Sequence, residues 1–260
     1  MSGASRRAPA RDLALVAGGL VLVVGLAWGY LLLGAGVPMD PMAMAMGSMS
    51  MAMGWSAGYA ALLFAMWAVM MVAMMFPAAA PMVLTFAAMD RRRRGREAAP
   101  STTSLFVLGY ALVWTSFAAL AVGFQYALSQ AALLSPSMAT TNRAVAGAIL
   151  VGAGIYQWTP LKQACLRWCR SPLDFLLRNW RPGREGALRL GLLHGVYCLG
   201  CCWAAMLLLF VGGVMNLAWV AGLTLFVLVE KTAPSGGWLS RLAGTALALW
   251  GLAILLIPRG

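Results

Sequence analysis

Seven apolar stretches organise the chain, at residues 13–34, 56–76, 104–128, 144–159, 190–214, 217–230 and 239–257, and shorter polar or basic segments divide them. Crossing a hydrocarbon core takes about 20 predominantly apolar residues in a helix. Five stretches approach or exceed that length, while 144–159 and 217–230 fall short. The pattern predicts an all-α polytopic transmembrane bundle of about seven spans, or six if one short stretch does not cross. The first stretch is longer than the apolar core of a secretion signal, and no small-residue cleavage site follows it. It therefore reads as a retained span.

Residues 160–190 depart from this pattern. LKQACLRWCRSPLDFLLRNW (161–180) alternates apolar and basic residues, as expected of an amphipathic helix lying in the interface between spans four and five. Trp158, Trp168 and Trp180 suit an interfacial aromatic belt. The second span is expected to end near Pro77 and Pro81, and 90–103 to be a solvated charged loop. Met215-Asn216 reads as the tight turn joining spans five and six. Gln125 and Gln157, near span ends, read as solvated or interhelical. Gly25 with Gly29, and Gly191 with Gly195, have the small-residue spacing of close helix contacts.

Composition agrees with a membrane class. Hydrophobic residues make up 62% of the chain and charged residues 10%, which excludes an ordinary soluble domain. A net charge of +12 would suggest nucleic acid in a soluble protein; here topology explains it, and no nucleic-acid partner is expected. With a cytoplasmic N-terminus, the inner segments hold Arg6, Arg7, Arg11, Arg91 to Arg94 and Arg96. They also hold Lys162, Arg167, Arg170, Arg178, Arg181, Arg184, Arg189, Lys231 and Arg241. Only Arg143 and Arg259 remain outside, as the positive-inside rule asks.

The candidate chemistry is soft-metal ligation. All five cysteines and the only histidine fall in two short runs: Cys165 and Cys169, then His194, Cys198, Cys201 and Cys202. At about 100° per residue, His194, Cys198 and Cys201 share an arc of about 60° on one helix face, and Cys202 widens it to about 100°. A single buried cysteine reads as a small apolar packing residue. Five with the only histidine read as ligands for Cu(I), with zinc as the alternative. Cys198-x-x-Cys201 also admits a redox pair, whereas a disulfide framework does not suit thiols facing a reducing cytosol.

Methionine forms a second soft-ligand population. The linker AGVPMDPMAMAMGSMSMAMG (35–54) carries Met39, Met42, Met44, Met46, Met49, Met51 and Met53. Thioethers suit Cu(I) in an oxidising compartment, where thiols would be lost. Met66, Met70 and Met74 stack at i, i+4 and i+8 in the second span, either as core filler or as a ligand ladder continuing from the linker. Glu230 and Lys231 are adjacent and cannot face one another squarely; Glu230 is expected to meet a basic loop residue rather than the thiols.

MWAVMMVAMMFP (66–77), YQWTPLKQACLRWCRSP (156–172), HGVYCLGCCWAAMLLLFVGGVMNLAW (194–219) and Glu230-Lys231 resemble a bacterial family of predicted metal-binding integral membrane proteins. The resemblance covers roughly residues 55 to 257, with CLGCCW as its most specific run. It implies ligand roles for Cys165, Cys169, His194, Cys198, Cys201 and Cys202, and carries no reaction with it.

Together these features predict two parts: 1–54, a first span with an extracytoplasmic methionine linker, and 55–260, a membrane-embedded metal-binding unit. The expected function is copper handling in the bacterial cytoplasmic membrane, with the bilayer, a metal ion and a copper chaperone or cuproenzyme as partners. No nucleotide loop, nucleophile elbow or paired catalytic carboxylate points to an enzyme. The alternatives are a membrane thiol-disulfide oxidoreductase and a structural subunit of a membrane complex.

Overall fold

The computed structural model describes residues 3–34, 55–94, 100–135, 137–233 and 237–256. The linker methionines Met39, Met42, Met44, Met46, Met49, Met51 and Met53 lie outside these residues. Within them the fold is helical: α1 (Gly3–Leu32), α2 (Ala57–Arg94), α3 (Pro100–Gln130), α4 (Arg143–Trp158), α5 (Pro160–Arg170), α6 (Pro172–Asn179), α7 (Gly183–Leu207), α8 (Leu209–Gly212), α9 (Leu217–Thr232) and α10 (Trp238–Leu256).

Among the described residues five helices are long and apolar enough to cross a membrane: α1, α2, α3, α7 running on into α8, and α10. A sixth span is reached if α4 and α5, bent by 66°, are counted as one. Among the described residues the count thus reaches the alternative of six but not seven. α4 and α9 hold 16 residues each, about 24 Å at the helical rise and short of a core about 30 Å thick.

Local sequence explains the breaks. Pro160 forces the preceding residue out of the helical region, and Thr159 is extended at φ −68° and ψ 144°. Thr159 then caps α5, its hydroxyl accepting from the Lys162 backbone N–H at 3.3 Å. The amphipathic segment is accordingly two helices, α5 and α6, divided at Ser171-Pro172. Its apolar side buries Leu166, Phe175 and Leu176, while Leu161, Leu173 and Leu177 stay exposed. Trp158 is exposed, but Trp168 and Trp180 pack inward, on Tyr197 and Phe86.

Two expectations about α2 change. Pro77 and Pro81 lie inside the helix, which continues to Arg94, so the start of the charged segment is helical and Asp90 is buried. Pro77 has no N–H to offer the carbonyl of Ala73, four residues back. The indole N–H of Trp28 on α1 donates to that oxygen at 3.2 Å, so the neighbouring helix satisfies what the proline leaves open. The turn at Met215-Asn216 is as expected: Gly213 adopts φ 93°, and the Asn216 side chain accepts from the Trp219 N–H to start α9.

Glycine sets how closely the helices approach. In the α3–α7 seam, a Cβ on Gly109 would lie 2.8 Å from the Leu192 nitrogen, and one on Gly191 would collide with the Phe106 backbone. Gly195 faces Val113 in the same seam, so the Gly191/Gly195 expectation holds. Gly25 and Gly29 meet nothing within 4 Å, so their spacing marks no contact in this chain. A second seam was not legible: Gly154 and Gly244 each face the other's carbonyl at 2.7 Å, and Gly251 faces that of Gly147, joining α4 to α10.

These contacts separate two glycines of similar sequence context. Gly191→Leu should force α3 and α7 apart and lower stability by at least about 3 kcal/mol, because rigid backbone obstructs the new side chain. Gly25→Leu should leave the unfolding midpoint nearly unchanged. Thermal unfolding of both variants in detergent checks this, and a Gly191→Leu protein as stable as the parent would contradict the seam.

Candidate metal centre

The α3–α7 seam brings the functional face of α7 into the interior. His194, Cys198, Cys201 and Cys202 are all buried there, as a shared helix face requires. The bend at Thr159-Pro160 turns α5 back against α7, so Cys169 enters the same core and Cys165 lies half-buried beside it. Gly200 makes room for Cys165: a Cβ there would stand 2.8 Å from its sulfur. The Tyr156 hydroxyl donates to the Gly200 carbonyl and ties α4 to the same turn.

The sulfurs gather around Cys201. Its Sγ is 3.8 Å from that of Cys169 and 3.3 Å from that of Cys202. Two sulfurs bound tetrahedrally at about 2.3 Å from one ion sit about 3.8 Å apart. The Cys169–Cys201 pair thus already has a ligand-pair separation. Among the described residues, however, no group of three or more His, Cys, Asp or Glu side chains forms a ready-made ion cage. All five cysteines are free thiols.

Cys198 shows what fills the remaining space. The Lys231 ammonium donates to its sulfur at 2.7 Å, and the Tyr110 hydroxyl lies 3.0 Å away. Tyr110 also donates to the Met75 carbonyl at 3.1 Å. His194 stacks on the rings of Tyr110 and Phe106 and meets that of Phe175 edge-on, and among the described residues neither imidazole nitrogen has a hydrogen-bond partner. Buried polar atoms without partners are rare in folded proteins. An imidazole left open one helical turn from Cys198 is therefore fit to act as a ligand. The donor set, thiols and imidazole with no carboxylate among them, suits a soft ion.

Glu230 turns away from the sulfurs. Its carboxylate pairs with Lys162 at 2.8 Å, accepts from the Ser240 hydroxyl at 2.6 Å, and Lys162 also reaches Gln157. The Arg170 guanidinium donates to the Glu230 backbone carbonyl. The expected basic partner is thus present, and the network fastens α5, with its two cysteines, to α9 and α10. Gln157 is buried within it, and Gln125 is buried between Trp67 and Met138, so both are interhelical rather than solvated. Met66, Met70 and Met74 are all buried on α2, in the same core cluster as Cys198, Cys201 and Cys202.

Sequence reasoning did not single out Tyr110, nor assign Lys231 to the thiols. A signal for Lys231 existed: an ionisable residue at the end of an apolar span needs a named partner. For Tyr110 there was none, since its contact depends on how closely α3 approaches α7.

The family model PpoB2, described as a copper chaperone, matches residues 64–254. That range holds all five cysteines, His194, Tyr110, Lys162, Glu230 and Lys231, and leaves out the methionine linker. No curated protein and no solved structure matches the chain.

The ion pair behind the thiols generates a stability prediction. Lys162→Met strands the Glu230 carboxylate in the interior and should cost about 3–5 kcal/mol, the scale of breaking a buried pair from one side. The double variant Lys162→Met with Glu230→Gln should recover part of that loss. Unfolding midpoints of the parent, single and double variants measure both effects.

Proposed function

The chain belongs to the PpoB2 family of copper chaperones, and on that premise we propose that it is a multi-pass protein of the bacterial cytoplasmic membrane that receives Cu(I) and holds it on thiols. The observation that supports this reading is the approach of the Cys201 sulfur to those of Cys169 and Cys202, in one buried cluster with Cys198 and one helical turn from an imidazole whose nitrogens have no partner among the described residues. In this reading Cys198, Cys201 and Cys169 bind the cargo first, and Cys202 and His194 complete the set. Cys165, the most accessible of the thiols, is the side from which copper leaves.

The basic segments orient the bundle with α5 and α6 on the cytoplasmic side and the methionine linker outside. Copper then meets neutral thioethers before thiols. Thioethers hold Cu(I) weakly and thiolates hold it tightly, so the order of ligands favours passage from linker to cluster without nucleotide hydrolysis. Lys231 supplies the counter-charge that Cys198 needs while no cation is bound.

Two experiments test this. Cys198→Ser and Cys201→Ser should each weaken Cu(I) affinity by about tenfold or more, because hydroxyl is a hard, protonated ligand. Metal content of anaerobically purified protein, measured against a competing cuprous chelator, reads the loss; full copper retention in both variants would show that the cysteines only pack. Changing all seven linker methionines to leucine should impair copper acquisition at low external copper, with rescue by excess, as mass action requires of a capture step. Any single change, such as Met46→Leu, should do almost nothing. Cuproenzyme activity across a copper titration reads both, and indifference of the sevenfold variant at limiting copper would remove the linker from the pathway.

A further inference from the structure

A cleft opens in the bundle where the methionine linker begins. Its walls are the end of α1, at Leu31 and Gly34, the first third of α2, at Met66 and Met70, and the turn before α9, at Val214 and Met215. Among the described residues, no side chain with oxygen or nitrogen lines it. Met66 and Met70 stand one helical turn apart on the same face. Met215 arrives from another part of the chain. Its turn is held by Gly213 at φ 93°, by the Met215 N–H donating to the Ser137 carbonyl at 3.4 Å, and by the Asn216 N–H donating to the Gly213 carbonyl at 3.1 Å.

We propose that Met66, Met70 and Met215 form a three-thioether site for a soft monovalent cation, Cu(I) in the cell, distinct from the thiol cluster. The proposal rests on the copper reading above and adds a first station to it. Methionine that merely fills a core adapts its flexible side chain until the gap closes; here three of them border space that stays open. Neutral sulfur ligands suit a singly charged soft ion and fail hard divalent ions, which require oxygen donors and charge compensation. With no anionic ligand the bound ion keeps its positive charge in apolar surroundings, so the site holds it briefly and releases it to better ligands. The set also differs from the ladder read along α2. Met74 does not line the cleft, and Met215 replaces it.

The test uses the full chain with its seven linker methionines changed to leucine, so that only the cleft and the thiols remain. Ag(I), a redox-inert stand-in for Cu(I), is titrated anaerobically, and bound ions are counted by native mass spectrometry. Met66→Leu, Met70→Leu and Met215→Leu combined should bind one ion fewer than the parent, while Met74→Leu should bind the full number. Cys198→Ser with Cys201→Ser should lose ions at the thiols and keep the one in the cleft, so failure of the copper reading and failure of this site give different patterns. A triple variant with an undiminished count, or Met74→Leu losing as much, overturns the proposal. In the unaltered chain Ag(I) should also slow peroxide oxidation of the half-buried Met215, read from its peptide; unprotected Met215 overturns the proposal even if the triple variant does not fold.

Discussion

Two adjacent ionisable residues at the end of α9 must each find a polar partner inside an apolar bundle. Burying an ion without a partner costs several kcal/mol, so neither Glu230 nor Lys231 is free to choose its surroundings. Successive helical residues point about 100° apart, so the two cannot satisfy one another. Glu230 takes Lys162 and draws in α5; Lys231 takes Cys198 and draws in α7. One dipeptide therefore holds together the two helices that carry all five cysteines.

Helix spacing completes what the charges begin. Gly109 and Gly191 let the backbones of α3 and α7 approach more closely than any Cβ would permit. Only at that distance does the Tyr110 hydroxyl reach both Cys198 and the Met75 carbonyl, and its ring stack on His194. The thiols are thus held by hydrogen bonds and an ammonium rather than disposed around a common centre.

Much of this was legible in the chain. Apolar length predicted a helical fold with segments long enough to cross a membrane, and composition singled out the six thiol and imidazole residues as ligand candidates. Helical periodicity placed His194, Cys198, Cys201 and Cys202 on one face, and the structure buries that face. Proline alone did not mark the breaks: helices begin anew at Pro160 and Pro172, where one amphipathic helix was expected, while Pro77 and Pro81 lie inside α2. The number of spans was less legible for a physical reason: α4 and α9 hold 16 residues each, short of the about 20 that a crossing takes, and apolar composition alone does not say whether so short a helix crosses.

What sequence determined, then, was whatever depends on near neighbours along the chain: helix and helical face. Tertiary structure decided every relation between residues far apart. It chose Lys231 rather than Glu230 for the thiols, gave Trp28 the carbonyl that Pro77 left open, and put Met215 beside Met66 and Met70. It also made Gly191 a contact and Gly25 a bystander, though both sit in the same four-residue spacing. The reason is common to all four. A residue's type and its helical phase are local properties, but its partner depends on which helices lie side by side and how closely, and that follows from the packing of the whole bundle.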